Sequence, residues 1–365
     1  MPDEPSETTD GRKRQTVDGR GQMADGRRTV PLPSATCCLL SAGFGLLPSA
    51  VSHGSLRHDS RSAAQCSSIP PQGQDRRFEP AMPIEHVSDT ARWVAYYRAM
   101  ETDRRDAVFR DPYARRLAGP EGKRIVDEMP RGKATAWAMV TRTAVFDEII
   151  LDVVRGRNAD LLLNLAAGLD ARPWRLPFPA ALRWVDVDLP PMLEYKASIM
   201  RDVEPSCRYE AIPADLVDAK VRNALFSQLG REASRVLVVA EGLLIYLTDE
   251  QVAGLATELH RQASFRWWLI DLASPRLLQI LAKDWGRTLA QGNAPFRCAP
   301  PNGTEFFRQL GWREVSYRSA LEEAHRIGRE MPMMWLWRLL SRLSPKAKQE
   351  EVRRISGFVL LERMD

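Results

Sequence analysis

The sequence predicts an α/β fold with a mostly parallel central sheet and helices on both of its faces. Short apolar runs at 160–165, 182–187 and 235–240 are typical of strands that are buried on both faces. Helical patterns at 192–203 and 249–263 separate these runs. Such alternation predicts parallel strands joined by helical crossovers.

The segments before and after these runs extend the prediction. Helices are predicted over 91–100, after Asp111-Pro112 and over 135–154, where the apolar residues form one stripe. Further short extended or apolar segments predict additional strands. They are 209–213, 267–272, 312–318 and 357–362.

The first 81 residues differ in composition from the rest of the chain. They are rich in Gly, Ser, Pro, Arg and Asp and repeat the fragment Asp-Gly-Arg three times, which predicts a disordered, low-complexity extension. An apolar stretch at 30–51 resembles the core of an export signal, but several prolines interrupt it. We therefore predict one domain over 82–365, with Met82 as a candidate natural start and 1–81 as a candidate non-native extension.

Composition argues against several classes of function. The formal net charge of +5 is spread along the chain without a basic stripe, so we expect no nucleic-acid partner. The five cysteines form no Cys-x-x-Cys pair, so we expect no metal site and a reducing, cytoplasmic location. No apolar run reaches the roughly 18 residues of a bilayer span, so we expect no membrane partner.

A turn of small residues and an acidic strand end follow in order after the first predicted strand. Residues 165–170 read Leu-Ala-Ala-Gly-Leu-Asp, and open parallel sheets bind nucleotide-like ligands at the carboxyl ends of their strands. The next strand ends in Asp186 and Asp188, and a carboxylate 20 residues after Gly168 can accept ribose hydroxyls. This spacing suits dinucleotides and S-adenosylmethionine equally. It does not choose between the two aspartates, which lie on the same face of the strand.

Two more acidic positions follow predicted strands. Asp215 and Leu216 come after the segment 209–213, where a carboxylate could accept the amino group of adenine. Glu241 and Gly242 end the strand at 235–240 and would face the same crevice. Each pair alone is equally typical of a helix cap or a solvated loop.

Together these motifs resemble the leucine carboxyl methyltransferase family, including its bacterial polyketide O-methyltransferase branch. The resemblance spans most of 88–363 and rests on several motifs in matching order. They are 109–112, 142–143 with 146–147, 164–172, 184–190, 241–247, 306–312 and 357–362. The resemblance implies a Rossmann-like class I methyltransferase fold, extra helices that cap the acceptor side, and S-adenosyl-L-methionine as cofactor.

The resemblance also implies roles for individual residues. Arg142 would pair with the carboxylate of the cofactor, and the backbone of Gly168 would pass along its methionine portion. Asp188 would hold the ribose. Asp215 and Leu216 would contact the adenine.

Glu241 would lie near the amino or sulfonium end of the cofactor, where a carboxylate suits positive charge. One position departs from the family, which usually has glycine where this chain has Ala166. An alanine tolerates such a turn only at negative φ. We expect cofactor binding to survive, because the loop needs small residues more than it needs this particular glycine.

The implied activity is methyl transfer to a carboxyl or hydroxyl group of a small, polyketide-like molecule. The Met- and Trp-rich segment 277–344 could line an acceptor pocket or form a lid, although such residues more often fill a core. No residue identifies itself as a catalytic base. Candidates by residue type alone are Tyr96, Tyr97, His86, Arg98 and His260.

Three alternatives stay open at this point. The chain could methylate the C-terminal carboxylate of a protein partner. It could be a nicotinamide-dependent oxidoreductase, because Ala166, Gly168, Ala171 and Asp188 loosely imitate a dinucleotide fingerprint. It could also be a degenerate protein that binds the cofactor without catalysis.

Overall fold

The computed structural model describes residues 89–129, 132–291 and 296–365. The predictions for the extension at 1–81 and for the domain start at Met82 lie outside these residues. Within the described ranges, no helix combines the length and apolar character needed to cross a membrane. The same ranges hold no cluster of three or more His, Cys, Asp or Glu side chains suited to a metal ion.

Seven strands of the described chain form one sheet. They are β1 (Leu161–Leu165), β2 (Arg183–Asp188), β3 (Arg208–Pro213), β4 (Val236–Ala240), β5 (Phe265–Ala273), β6 (Trp312–Ser319) and β7 (Ser356–Arg363). Their order across the sheet is β3-β2-β1-β4-β5-β7-β6. Strands β1 to β5 pair in parallel, whereas β7 runs antiparallel to β5 and β6. The predicted mostly parallel α/β fold is confirmed.

Helices precede the sheet and connect its strands. They are α1 (Asp89–Thr102), α2 (Ala114–Glu128), α3 (Ala136–Gly156), α4 (Arg172–Arg175), α5 (Pro190–Met200), α6 (Ala219–Glu232), α7 (Asp249–His260), α8 (Pro275–Gln291), α9 (Glu305–Arg308), α10 (Ala320–Arg326), α11 (Met334–Ser341) and α12 (Lys346–Arg353). The predicted helices correspond to α1, α2, α3, α5 and α7. Helix α6 was not among the predicted helices, although Asp218 caps it by accepting the amides of Lys220 and Val221, a recognisable helix-start signal.

Side-chain alternation along the central strands divides the core into two layers. Leu161, Leu163 and Leu165 of β1 pack in a cluster with α6 and α7, while Leu162 packs in a second cluster with α3. Successive side chains of a strand point to opposite faces, so a continuous apolar run is buried on both. The stripe predicted on α3 lies in the second cluster.

The strand order changes direction at β1. Strands β2 and β3 lie on one side of it, and β4 and β5 lie on the other. The connections after β1 and β4 therefore leave the sheet in opposite directions, which opens a crevice at the carboxyl ends of these strands. The turns at 166–168 and 241–242 lie at this crevice.

Candidate functional site

A cavity of about 570 Å³ lies at the carboxyl ends of β1, β2 and β4. This volume is typical of small-molecule sites, which span roughly 300–1,000 Å³. All six residues predicted for cofactor binding line the cavity. They are Arg142, Gly168, Asp188, Asp215, Leu216 and Glu241. Together with Asp271, which also lines the cavity, this set is called the polar wall below.

The turn after β1 places two residues in the left-handed region. Gly168 has a φ of +51°, and so does Ala166, so the expectation that alanine fits this turn only at negative φ is wrong. The chain turns back toward β2, where the Ala167 amide donates to the Val187 carbonyl at 3.2 Å and the Gly168 amide donates to Asp188 Oδ2 at 2.7 Å. These contacts hold the turn in this conformation, in which a left-handed alanine costs roughly 1–2 kcal/mol.

The structure distinguishes the two aspartates of β2. Asp186 is fully buried, accepts a hydrogen bond from Lys196 Nζ at 2.6 Å and does not line the cavity. Asp188 lines the cavity and accepts the amides of Gly168 and Leu189 at 2.7 Å each. Burial raises the pKa of Asp188, although these two amides oppose the rise. Of the two carboxylates, Asp188 is therefore the one that can reach a ligand in the cavity.

The segment after β3 contributes an exposed carboxylate and a partly buried leucine. Asp215 Oδ1 accepts the Val217 amide at 2.8 Å and so closes a tight turn. The Leu216 carbonyl accepts a hydrogen bond from Arg222, whose guanidinium also pairs with Glu258. Pairing between α6 and α7 thus fixes the backbone that carries this part of the polar wall.

Arg142 on α3 lies between two carboxylates. Its Nε donates to Glu241 Oε1 at 2.9 Å, and its Nη1 donates to Asp271 Oδ2 at 3.0 Å. Asp271 also accepts the amide of Gly242 at 2.7 Å. Gly242 has a φ of +69°, and a Cβ there would lie 2.9 Å from Arg142 Nη1, so both conformation and space require glycine.

Asp271 is not among the site residues predicted from the sequence. The residue lies near the end of β5, where it is the one acidic side chain among apolar neighbours. A carboxylate inside an otherwise apolar strand is a signal that could have identified it.

Buried ion pairs connect the polar wall to α3 and α4. Arg172 contacts Asp147 at 2.6 Å, Asp170 at 2.7 Å and Glu241 at 2.8 Å. Burial favours protonation of Glu241, but the charges of Arg172 and Arg142 outweigh it and lower the pKa of this carboxyl. Burial also favours protonation of Asp170, but neighbouring positive charges, that of Arg172 above all, outweigh it and lower the pKa of this carboxyl to about 2. Both carboxylates are therefore ionised at neutral pH.

The rest of the cavity lining is largely apolar. Five of its side chains are called the apolar wall below: Trp93, Met139, Phe296, Met331 and Met334. The last three belong to segment 277–344, for which pocket lining was the less favoured alternative to core packing. The segment is not uniform, however, because Met333 and Trp335 are exposed to solvent.

The residues considered as catalytic bases have other contacts. Tyr97 lines the cavity, but its hydroxyl is hydrogen-bonded and burial raises its pKa. Arg98 also lines the cavity and forms a buried ion pair with a carboxylate. Tyr96 and His260 do not line the cavity, and His86 lies outside the described residues.

Comparison with known proteins identifies the family. The family model of leucine carboxyl methyltransferase matches residues 91–260. A Frankia alni protein, named as an S-adenosyl-L-methionine-dependent methyltransferase, is 33% identical over 271 residues, which cover 67% of this chain and 90% of the relative. A Mycobacteroides abscessus protein of the same name is 30% identical over 278 residues, with 68% and 90% coverage.

Among solved structures, a DUF574 family protein from Streptomyces avermitilis is 14% identical and superposes with a TM-score of 0.49. This match covers 78% of the present chain and 99% of that chain. The curated relatives decide the assignment, because they are aligned over nearly their whole length. The chain therefore belongs to the leucine carboxyl methyltransferase family of S-adenosyl-L-methionine-dependent methyltransferases.

Proposed function

We propose that this methyltransferase transfers a methyl group to a carboxyl or hydroxyl oxygen of a small, polyketide-like organic molecule. The observation that carries the proposal is a single cavity lined by both the polar wall and the apolar wall. A ligand pocket of this kind binds through apolar contacts and is oriented by a few polar groups. A mainly apolar acceptor with one oxygen-bearing group fits that lining.

The polar wall fits S-adenosylmethionine as its ligand. Gly168 and Gly242 leave the backbone without a Cβ at two left-handed turns in the cavity lining. Asp188 would accept the ribose hydroxyls, because a carboxylate has lone pairs left after accepting two amides. Asp215 and Leu216 would contact the adenine from the segment after β3.

Arg142 would bind the carboxylate of the cofactor. Its Nε and Nη1 atoms are engaged by Glu241 and Asp271, and among the described residues Nη2 makes no hydrogen bond. The two protein carboxylates would thus hold the guanidinium in place while Nη2 meets the ligand. Glu241, kept ionised by Arg172 and Arg142, would lie near the amino or sulfonium group.

S-adenosylmethionine supplies an electrophilic methyl group on a positively charged sulfur. The chain then has to hold the acceptor oxygen in line with that methyl and to exclude water. An acceptor hydroxyl would need a base, but burial raises the pKa of Tyr97 and raises that of Tyr246 to about 12, so both stay protonated at neutral pH. A carboxylate is already ionised at about pH 7. Of the two acceptor groups, the lining therefore favours a carboxyl group.

The test is a methyl-transfer screen with the full chain and S-adenosylmethionine carrying a radiolabelled methyl. Acceptors would include apolar carboxylic acids, matched phenols and alcohols, and peptides with a free C-terminal carboxylate. We expect labelled products from the small acids that release the label on mild alkaline hydrolysis, as methyl esters do. Labelling of peptides alone would contradict the small-molecule proposal, and alkali-stable products alone would contradict the preference for carboxyl.

A binding measurement checks the cofactor separately from the acceptor. Calorimetry of the full chain with S-adenosylmethionine, S-adenosylhomocysteine and NAD should show binding of both sulfur compounds and none of NAD. Binding of NAD alone would overturn the proposed roles of the polar wall.

A further inference from the structure

Helix α11 presents apolar side chains on two of its sides. Met334 is buried and lines the cavity. Trp335, Leu339 and Leu340 on the same helix are 62%, 54% and 46% exposed, and Leu343 just after it is 84% exposed. On a helical projection Trp335, Leu339 and Leu340 share one arc and Met334 lies on the other side, while Leu343 follows in the turn after the helix. This exposed surface, from Trp335 to Leu343, is called the outer face.

The outer face is accompanied by positive charge. Between Met331 and Lys348 the sequence contains four basic residues and no acidic residue. Arg338 pairs with Glu330, but in the described residues Arg342, Lys346 and Lys348 form no ion pair. These three cations are therefore available to a negatively charged partner.

We propose that the outer face and its flanking cations dock on the surface of an anionic lipid bilayer. Exposed Trp and Leu side chains beside Lys and Arg are the combination with which interfacial helices bind membranes. The apolar side chains would enter the region between headgroups and acyl chains, and the cations would contact the lipid phosphates. The expectation of no membrane partner rested on spanning length and did not address docking at the surface.

The position of α11 gives this docking a consequence for the enzyme, and that consequence rests on the proposed function. Met331 and Met334 belong to the same segment as the outer face, yet they line the cavity. Docking would place this part of the cavity wall next to the bilayer. An apolar acceptor dissolved in lipid would then reach the apolar wall with little exposure to water.

The test is co-sedimentation of the full chain with vesicles of phosphatidylcholine, or of an equal mixture of phosphatidylcholine and phosphatidylglycerol. We expect binding to the anionic vesicles that weakens in high salt, and little binding to the neutral ones. The variant with Trp335→Ser and Leu343→Ser should bind at least about tenfold more weakly. The matched control, Val221→Ser with Val315→Ser, removes two exposed apolar side chains elsewhere and should bind like the unaltered chain.

Charge-reversal variants test the role of the cations independently of the apolar side chains. Arg342→Glu with Lys346→Glu should weaken binding to anionic vesicles about tenfold or more. Arg231→Glu with Arg261→Glu, which changes the same total charge on α6 and at the end of α7, should weaken it much less. Equal losses in both charge variants would overturn the proposal, because the attraction would then be non-specific.

Two further outcomes would also overturn it. One is an absence of binding by the unaltered chain to anionic vesicles. The other is a mass that rises with protein concentration for the unaltered chain but not for the Trp335→Ser and Leu343→Ser variant, which would assign the outer face to a second copy. All variants should keep thermal stabilisation by S-adenosylhomocysteine. If S-adenosylhomocysteine does not stabilise the unaltered chain, that result counts against the proposed function and not against the docking face.

Discussion

The polar wall and the apolar wall of the cavity are built in different ways. The polar wall stands mainly at strand ends and turns of one sheet, and ion pairs that reach α3 and α4 tie it together. The apolar wall comes from α1, α3, the loop residue Phe296 and the segment around α11, and its members Trp93, Met139 and Phe296 pack in one apolar cluster. The proposed cofactor end is thus held by backbone topology and charge. The proposed acceptor end is formed by apolar contacts, which tolerate variation in the side chains.

The largest effect is expected from removing Arg172, whose ion pairs connect the polar wall to α3 and α4. Arg172→Met should lower the free energy of unfolding by about 3–5 kcal/mol, because three buried carboxylates lose their shared cation. Urea unfolding at neutral pH measures it. Arg231→Met, an exposed arginine on α6, is the control and should change stability by no more than about 0.5 kcal/mol. A loss below about 1 kcal/mol in Arg172→Met would show that these ion pairs do not stabilise the wall.

The second effect concerns ligand binding by the polar wall. Asp188→Ala should weaken S-adenosylhomocysteine binding at least about 100-fold, because two charge-assisted hydrogen bonds to the ribose are lost. Calorimetry gives the affinity, and circular dichroism should show a folded chain. Asp152→Ala removes an exposed carboxylate as the control. Unchanged affinity in Asp188→Ala would mean that another group holds the ribose.

Lowering the pH should remove stabilising interactions from the polar wall before it changes the packing of the apolar wall. The pKa of Asp170 in the folded chain, about 2, is below its ordinary value of 3.8, so the ionised form is favoured by folding. Its contribution of about 2 kcal/mol is present above the ordinary value and is lost as the pH falls through about 2. Urea unfolding as a function of pH should show this loss, and it should shrink in Asp170→Asn. An Asp170→Asn profile parallel to that of the unaltered chain would contradict the assignment.

A substitution in the apolar wall should weaken binding of the acceptor and leave the affinity for the cofactor unchanged. Met334→Ala should raise the KM for the acceptor found in the screen about tenfold. The reason is that the acceptor would lose its apolar contacts with a buried Met side chain of the cavity. The affinity for S-adenosylhomocysteine should stay the same. Met333→Ala, an exposed neighbour in the same segment, is the control for both measurements. Equal changes in the two variants would place the acceptor elsewhere.

The smallest expected effect concerns the alanine at the turn of the polar wall. Ala166→Gly should raise the free energy of unfolding by about 0.5–1 kcal/mol, because glycine relieves the left-handed strain but adds freedom to the unfolded chain. Ala167→Gly, one residue along, is not among the left-handed positions and should lower stability by a similar amount. Destabilisation by both changes would mean that Ala166 is not strained.

Much of the fold was predictable because local patterns dominate in a parallel sheet. The apolar runs of β1, β2 and β4 have to be buried on both faces, so short windows of sequence predicted their positions. The spacing of Gly168 and Asp188 follows from the same βαβ geometry. Helix α6 was missed, although Asp218 supplies a recognisable capping signal at its start.

The site was predictable only in part. Asp186 and Asp188 are equivalent in sequence, and what separates them is that Lys196 neutralises the first inside the core. The place of Asp271 beside Arg142 depends on β5 lying next to β4, which no local pattern specifies. The φ of Ala166 depends on hydrogen bonds to β2, a strand that begins 17 residues later in the chain.

The sequence by itself determined the class of fold, the turn at Gly168 and the family motifs, because each depends on neighbours along the chain. Only the tertiary structure decided which carboxylates line the cavity, which residues hold Arg142, and which side of α11 is exposed to solvent. The physical reason is that burial and ion pairing depend on contacts between distant segments. Depending on these contacts, residues of the same type become buried counter-ions, cavity-lining groups or exposed surface groups.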